Sequence, residues 1–239
     1  GTTGRLRARR RLRELSFHLK GITVANILTH HYDNARTGWN QSETQLAPAS
    51  FECLAFGNLF QQNLDGGPVL AQPLYVQGLQ INGVLRNVVY VLTMKGNVYA
   101  FDADQANNGN PLWEPVSLLT PGAGETVDLN GGHAFTSTPV IDNPPTTMYV
   151  FGNITNNANQ PFFRLHAVNL ITGKVTPGDN LLAKASVTTA TGQQITLEVP
   201  GKGDEQDLPN NPGYVYFDPK NQGNRAALLL LSLIHISEP

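Results

Sequence analysis

Apolar residues in this chain recur at a period of two, not at the 3.6 of an amphipathic helix. Val88-Val89-Tyr90-Val91-Leu92 is rich in β-branched and aromatic residues and is bounded by Asn87 and by Lys95-Gly96-Asn97. The next run, Asn97-Val98-Tyr99-Ala100-Phe101-Asp102, alternates, with Val98, Ala100 and Asp102 on one face and Tyr99 and Phe101 on the other. Two such runs joined by a Gly-Asn turn predict a β-hairpin. Further strands are predicted over residues 69–76, 148–152, 162–170, 194–199 and 214–217. No capped stretch between residues 27 and 230 sustains a helical period, so the body reads as all-β.

The pattern also repeats at long range. Ala71-Gln72-Pro73-Leu74-Tyr75-Val76 has a counterpart in Ser137-Thr138-Pro139-Val140-Ile141-Asp142, and Val88-Val89-Tyr90-Val91 in Thr147-Met148-Tyr149-Val150. Val98-Tyr99-Ala100-Phe101-Asp102 matches Leu165-His166-Ala167-Val168-Asn169. Pro73 and Pro139 are 66 positions apart, Tyr90 and Tyr149 59, and Ala100 and Ala167 67. A short unit of several strands cannot bury both faces of its own sheet. Stacking copies about an axis solves that, as in a β-propeller of four-stranded blades, whereas a β-sandwich requires no such repeat. Ala100 and Ala167 suit the crowded inner part of such a stack.

Composition narrows the class. The 239 residues are 40% hydrophobic and only 14% charged, with 23 Gly and 16 Pro, which excludes a coiled coil and suits many tight turns. The single cysteine, Cys53, excludes an intrachain disulfide and a multi-thiolate zinc site. The longest apolar stretch, residues 226–231, is strand-sized, and no run is long enough for a membrane-spanning helix. The net charge of −2 conceals an asymmetry, because residues 1–20 carry seven basic side chains against Glu14 alone. A basic tail on an acidic body is a pattern that binds nucleic acid or anionic lipid, with strongly salt-dependent affinity. The chain starts at Gly1, however, and no apolar stretch of a secretory signal follows the arginines. Residues 1–26 are therefore read as a disordered or non-native leader, with no nucleic-acid partner and no membrane span expected. Residues 231–239 look like the in-frame translation of a sequencing adapter, which predicts that the natural protein continues past about Leu230 and removes His235 and Glu238 from consideration.

The order Pro73-Leu74-Tyr75-Val76, then Val88 to Ala103, then Asn108-Gly109-Asn110-Pro111-Leu112-Trp113 resembles the repeat of pyrroloquinoline-quinone (PQQ)-type, quinoprotein alcohol dehydrogenase-like propellers. In that repeat a strand ends in a turn (here Gly96), the next carries Ala-x-Asp (Ala100 and Asp102), and a tryptophan follows the next turn (Trp113). Tyr32-Asp33-Asn34-Ala35-Arg36-Thr37-Gly38, with Glu43 and Leu46, is similar to the segment preceding the first blade of such proteins, in particular of large secreted bacterial ones. The likeness covers residues 27–230. It implies a partial propeller of about three four-stranded antiparallel blades, an extracellular or periplasmic location, and the structural repeat residues Pro73, Tyr90, Ala100, Asp102, Trp113, Pro139, Tyr149, Ala167 and Asn169.

What the resemblance implies for activity is divided. The family's dehydrogenases hold PQQ in an axial funnel beside calcium, and many carry a pair of adjacent cysteines there. This chain has only Cys53. No convergent catalytic set or metal-ligand set is visible, so the expectation is a non-catalytic scaffold that binds a protein or carbohydrate. The alternative is a PQQ- and calcium-dependent dehydrogenase of alcohols or sugars whose remaining blades lie elsewhere.

Among individual residues, His133, in the loop Asn130-Gly131-Gly132-His133, is the candidate for ligand contact, since binding groups concentrate on loops. His30 and His31 are adjacent, so in a strand they would point to opposite faces. One of them lining the funnel is the functional reading, and a solvated pair before the first blade is the plainer one. His166 takes the position of Tyr99 in the repeat and is expected to pack, with a ring nitrogen on a backbone group. Asp102 and Asp104 resemble the start of a calcium loop without its later ligands. Asp102, like Asn169, is instead expected to accept backbone N–H groups at a turn. Trp113 is read as docking between neighbouring sheets, with stacking on a planar ligand as the alternative. The pieces Gly122-Ala123-Gly124 and Gly201-Lys202-Gly203 lack the strand-to-helix setting of a phosphate loop, and Asp204-Glu205-Gln206-Asp207 reads as a solvated acidic turn.

Overall fold

The computed structural model describes residues 26–41, 58, 60–106, 109–119, 128–129, 134–155, 161–181, 186–188, 194–196, 198–200, 214–216 and 224–231. The chain divides into two compact units, residues 1–25 with 40–59 and residues 26–39 with 60–239, and every described strand lies in the second.

The first sheet is antiparallel and runs in chain order: β1 (Leu74–Ile81), β2 (Val84–Leu92), β3 (Asn97–Asp102) and β4 (Val116–Ser117). β2 shows why it forms a strand. Val88, Tyr90 and Leu92 are buried while Val89 and Val91 between them are half-buried, the period of a pleated strand with one face on a core. The β2–β3 hairpin is the one the Gly-Asn turn predicts. A second hairpin joins β1 to β2 through Asn82-Gly83, both at positive φ (52° and 77°), the backbone of a two-residue turn that Asn and Gly adopt at little cost. The strand expected over residues 69–76 therefore starts later and continues to Ile81. A register shift between Val76 and Leu79 and the exposure of Val84 and Leu85 hide this arm from a hydrophobic pattern.

The second sheet has the order β5 (Asp128–Leu129), β7 (Thr147–Thr155), β8 (Pro161–Asn169), β9 (Val175–Leu181), and β6 (Val140–Ile141) also pairs with β7. Two further antiparallel pairs follow, β10 (Ser186–Thr188) with β11 (Gln194–Thr196) and β12 (Glu198–Pro200) with β13 (Tyr214–Tyr216). The single strand expected over 194–199 is thus divided between two pairs. The described fold is all-β with no α-helix. The described residues contain two larger sheets and two two-stranded pairs, and these do not close into a ring.

The two sheets share one register. Leu74 pairs with Tyr90 and Tyr90 with Ala100; Val140 pairs with Tyr149 and Tyr149 with Ala167. The packing phases differ. In the first sheet Leu74, Tyr90 and Ala100 belong to the common core, whereas in the second Ile141, Met148, Val150 and Val168 do, the residues of the opposite face. Tyr149 and Ala167 are only half-buried. One sheet's front therefore packs on the other's back, a head-to-tail stack. Leu170 marks the junction, its carbonyl accepting the Tyr90 hydroxyl at 2.8 Å and the Trp113 indole N–H at 3.3 Å. Burial of Tyr90 in this interface pushes its phenol pKa up.

Phe135 is the wedge between the sheets. It is fully buried, and a Cβ added at Gly96, in the β2–β3 turn, would come within 2.5 Å of one edge of its ring. A Cβ added at Gly152, in β7, would come within 2.3 Å of the opposite edge. Both glycines are required by this close approach.

Candidate functional site

Asp102 and Asn169 end equivalent strands but act differently. Asn169 Oδ1 accepts the Ile171 N–H at 3.1 Å, the Thr172 N–H at 2.9 Å and the Thr172 hydroxyl at 3.0 Å, closing its turn. Among the described residues Asp102 accepts one backbone N–H, from Asp104 at 2.9 Å, and its other oxygen pairs with Arg86 at 2.5 Å. The ion pair adds a partner to the backbone donor expected at the turn, because β2 extends far enough back to bring Arg86 alongside. Sequence reading missed Arg86 because it lies in the arm that the hydrophobic pattern hid. Asp104 is likewise engaged, accepting the Asn87 side-chain amide at 2.8 Å. Asp102→Ala should cost about 1–3 kcal/mol, since it strands a part-buried guanidinium and a backbone donor. Urea titration checks this, and an unchanged midpoint would remove the role.

His133 lies outside the described residues. His30 and His31 do not point to opposite faces: their rings stack with centroids 3.9 Å apart, because His31 and Tyr32 adopt positive φ (55° and 71°) and break the extended backbone. His30 Nδ1 is buried without a hydrogen-bond partner among the described residues. Burial, then the neighbouring His31 and Arg36 charges, hold the His30 pKa below the usual imidazole value, against a hydrogen bond with the Gln72 side chain, which favours the charged ring. His166 is fully buried between the sheets, 6.1 Å from the Phe135 ring. Neither of its ring nitrogens has a partner among the described residues, so the expected backbone contact is absent there. Burial, with the Arg164 charge nearby, lowers its pKa to about 4.

The described cleft is elsewhere. An open cavity of about 660 Å³ lies between Asn63–Asp65, Tyr99 of β3 and the loop from Asn110 to Pro115. Leu64, Pro111, Leu112 and Pro115 make its apolar lining. Asp65 organises it from behind, accepting the Gly67 N–H at 2.7 Å, the Thr93 hydroxyl at 2.9 Å and the Asn97 amide at 2.5 Å. Burial alone would raise the Asp65 carboxyl, but these hydrogen bonds and the Lys95 charge outweigh it and hold it below the usual range. Trp113 is committed to Leu170 through its N–H, and its ring lies against Gly173. The exposed Asn63 and Glu114 side chains are the polar lining groups with no hydrogen bond or ion pair among the described residues. Nothing in the sequence pattern singled them out, since the segment from Asn63 to Asp65 reaches the loop from Asn110 to Pro115 only through tertiary packing.

Among the described residues no three His, Cys, Asp or Glu side chains converge as a metal site. No helix there is long and apolar enough to cross a membrane. A scan against protein-family models, a search of curated proteins and a search of solved structures each returned no match.

Proposed function

We propose that the chain is part of a quinoprotein-like β-propeller and serves as a non-catalytic binding scaffold, with a carbohydrate as the ligand of the cleft beside Tyr99. The head-to-tail stacking of two sheets in one register supports the propeller reading, since such a contact leaves each sheet a further face to offer another copy. The observation that carries the binding reading is the division of labour in the cleft. Asp65 and Trp113 are held by structural hydrogen bonds, leaving an amide and one carboxylate over an apolar floor. Among the described residues the Asp65 carboxylate that shares the cleft is engaged, so Glu114 is suited to binding hydroxyl groups rather than to acid–base or covalent catalysis with a partner. An extracellular or periplasmic location belongs to the same proposal, with a protein as the alternative ligand.

The resemblance would place a quinone and calcium at a propeller axis, beside the first strand of each sheet. There Ile27 forms an antiparallel bridge with Tyr75 of β1, and the Leu28 carbonyl accepts the Ile141 N–H of β6 at 2.8 Å. The described residues do not make a quinone site at that edge, and no step through the cofactor is derived. The test is a glycan panel with the full chain, followed by titration of any hit against Glu114→Gln and Asn63→Ala. Each variant should weaken binding about fivefold or more, the loss of a hydrogen bond at a desolvated contact. Dye reduction on addition of PQQ and calcium, with no glycan bound, would overturn the proposal.

A further inference from the structure

The cleft beside Tyr99 carries charge of one sign. The charged side chains that line it are Asp65 and Glu114, and no lysine, arginine or histidine is among the lining residues. The two carboxylates differ in what surrounds them. Lys95 stands at Asp65: its stem passes beside Gly67, and its ammonium group donates to the Asp65 carbonyl at 3.1 Å. The Asp65 carboxylate also accepts the Gly67 N–H, the Thr93 hydroxyl and the Asn97 amide. Its charge is thus compensated from within the protein. Glu114, on the other lining segment, is exposed and makes no ion pair or hydrogen bond among the described residues.

We propose that the ligand of this cleft is an amino sugar with a free, protonated amine, its ammonium group paired with Glu114 and its hydroxyl groups with Asn63. This rests on the carbohydrate reading of the cleft and narrows it.

A ligand that covers the cleft takes water from Glu114 above a lining to which Leu64, Pro111, Leu112 and Pro115 give apolar surface. A carboxylate that loses its water is costly unless it gains a countercharge as well as hydrogen bonds. The hydroxyl groups of a neutral sugar supply only the hydrogen bonds. An ammonium group supplies both, in a charge-assisted bond roughly twice as strong as a neutral one. The Asn63 amide is donor and acceptor at once and carries no charge, which suits it to hydroxyl groups. Acetylation of the amine would remove the countercharge, and an acidic sugar would meet Glu114 and Asp65 with like charge, so the same two carboxylates select against both.

Calorimetric titration of the full chain at pH 6 and low salt tests this, with a glucosamine trisaccharide, its N-acetylated form, a glucose trisaccharide and trilysine as probes. The free-amine sugar should bind about tenfold or more tightly than the N-acetylated one, the gain of a hydrogen bond to a charged group. Added salt should narrow that margin. Glu114→Gln should cut it to about threefold or less, whereas Asn63→Ala should weaken both forms alike and leave it intact. Both residues are exposed, so each variant should keep the parent melting temperature. Equal affinity for the two forms, tighter binding of the N-acetylated or glucose sugar, or a margin that survives Glu114→Gln would overturn the amino-sugar assignment and leave the carbohydrate reading standing. Trilysine binding as tightly as the amino sugar would also overturn it, since a bare cation would then be enough. Absence of binding by every saccharide would overturn the carbohydrate reading, and this assignment with it.

Discussion

Gly152→Ala should lower the melting temperature by roughly 10 °C, from a loss of about 3 kcal/mol at the upper end of ordinary overpacking. The new methyl would sit 2.3 Å from Phe135 Cε1 and 2.6 Å from Cζ, well inside contact distance. The ring cannot retreat, because Gly96 presses its opposite edge and the whole side chain is buried. Either the ring leaves its rotamer or the two sheets separate. Phe135→Leu should itself be destabilising through the cavity it leaves, yet combined with Gly152→Ala it should be better tolerated than the sum of the two changes. Strict additivity in that double-mutant cycle, measured by urea titration, would show that the glycine is not there for the ring.

Acid should weaken the fold in a window set by His166. Its folded pKa, lowered to about 4 by burial and by Arg164, lies below the value near 6.5 of an unfolded histidine. Between those two values the unfolded chain binds a proton that the folded one refuses. Stability therefore falls as pH drops from about 6.5 towards 4, by about 3 kcal/mol in all. The carboxyls of Asp33, Asp65 and Asp142, each held below 3.8, act in a lower window, where their loss begins as pH falls through that value. For Asp142 burial works upward, and the hydrogen bonds from Thr146 and Thr147 prevail. His166→Leu, of similar volume and without the titrating ring, should reduce the slope above pH 4.5 to the part left by His30, whose pKa is also lowered. A melting temperature independent of pH from 7 to 4.5, or a slope unchanged by the substitution, would remove His166 from this role.

The β2–β3 hairpin and β8 were legible in the chain because each is a short run rich in β-branched and aromatic residues that ends at Gly or Asn. The internal repeat was legible for the same reason, and Tyr90 opposite Ala100 and Tyr149 opposite Ala167 are its expression in hydrogen-bonded register. The β1–β2 arm was less visible, since Val84 and Leu85 are exposed and a bulge interrupts the alternation. β4 and β6, at two residues each, are too short to carry a period.

Local pattern, then, was enough to specify strands, turns and the existence of two matching sheets, because each depends on residues within a few positions of one another. Which face of each sheet became core was decided only by packing: the repeat would put Tyr90 and Tyr149 alike, and stacking front to back buries one and leaves the other half-exposed. The same holds for the Arg86–Asp102 pair, the wedged Phe135, the stacked His30 and His31, and the cleft of Asn63 and Glu114. Each is a contact between segments that the chain brings together only after its sheets have formed, and no periodicity records such a meeting.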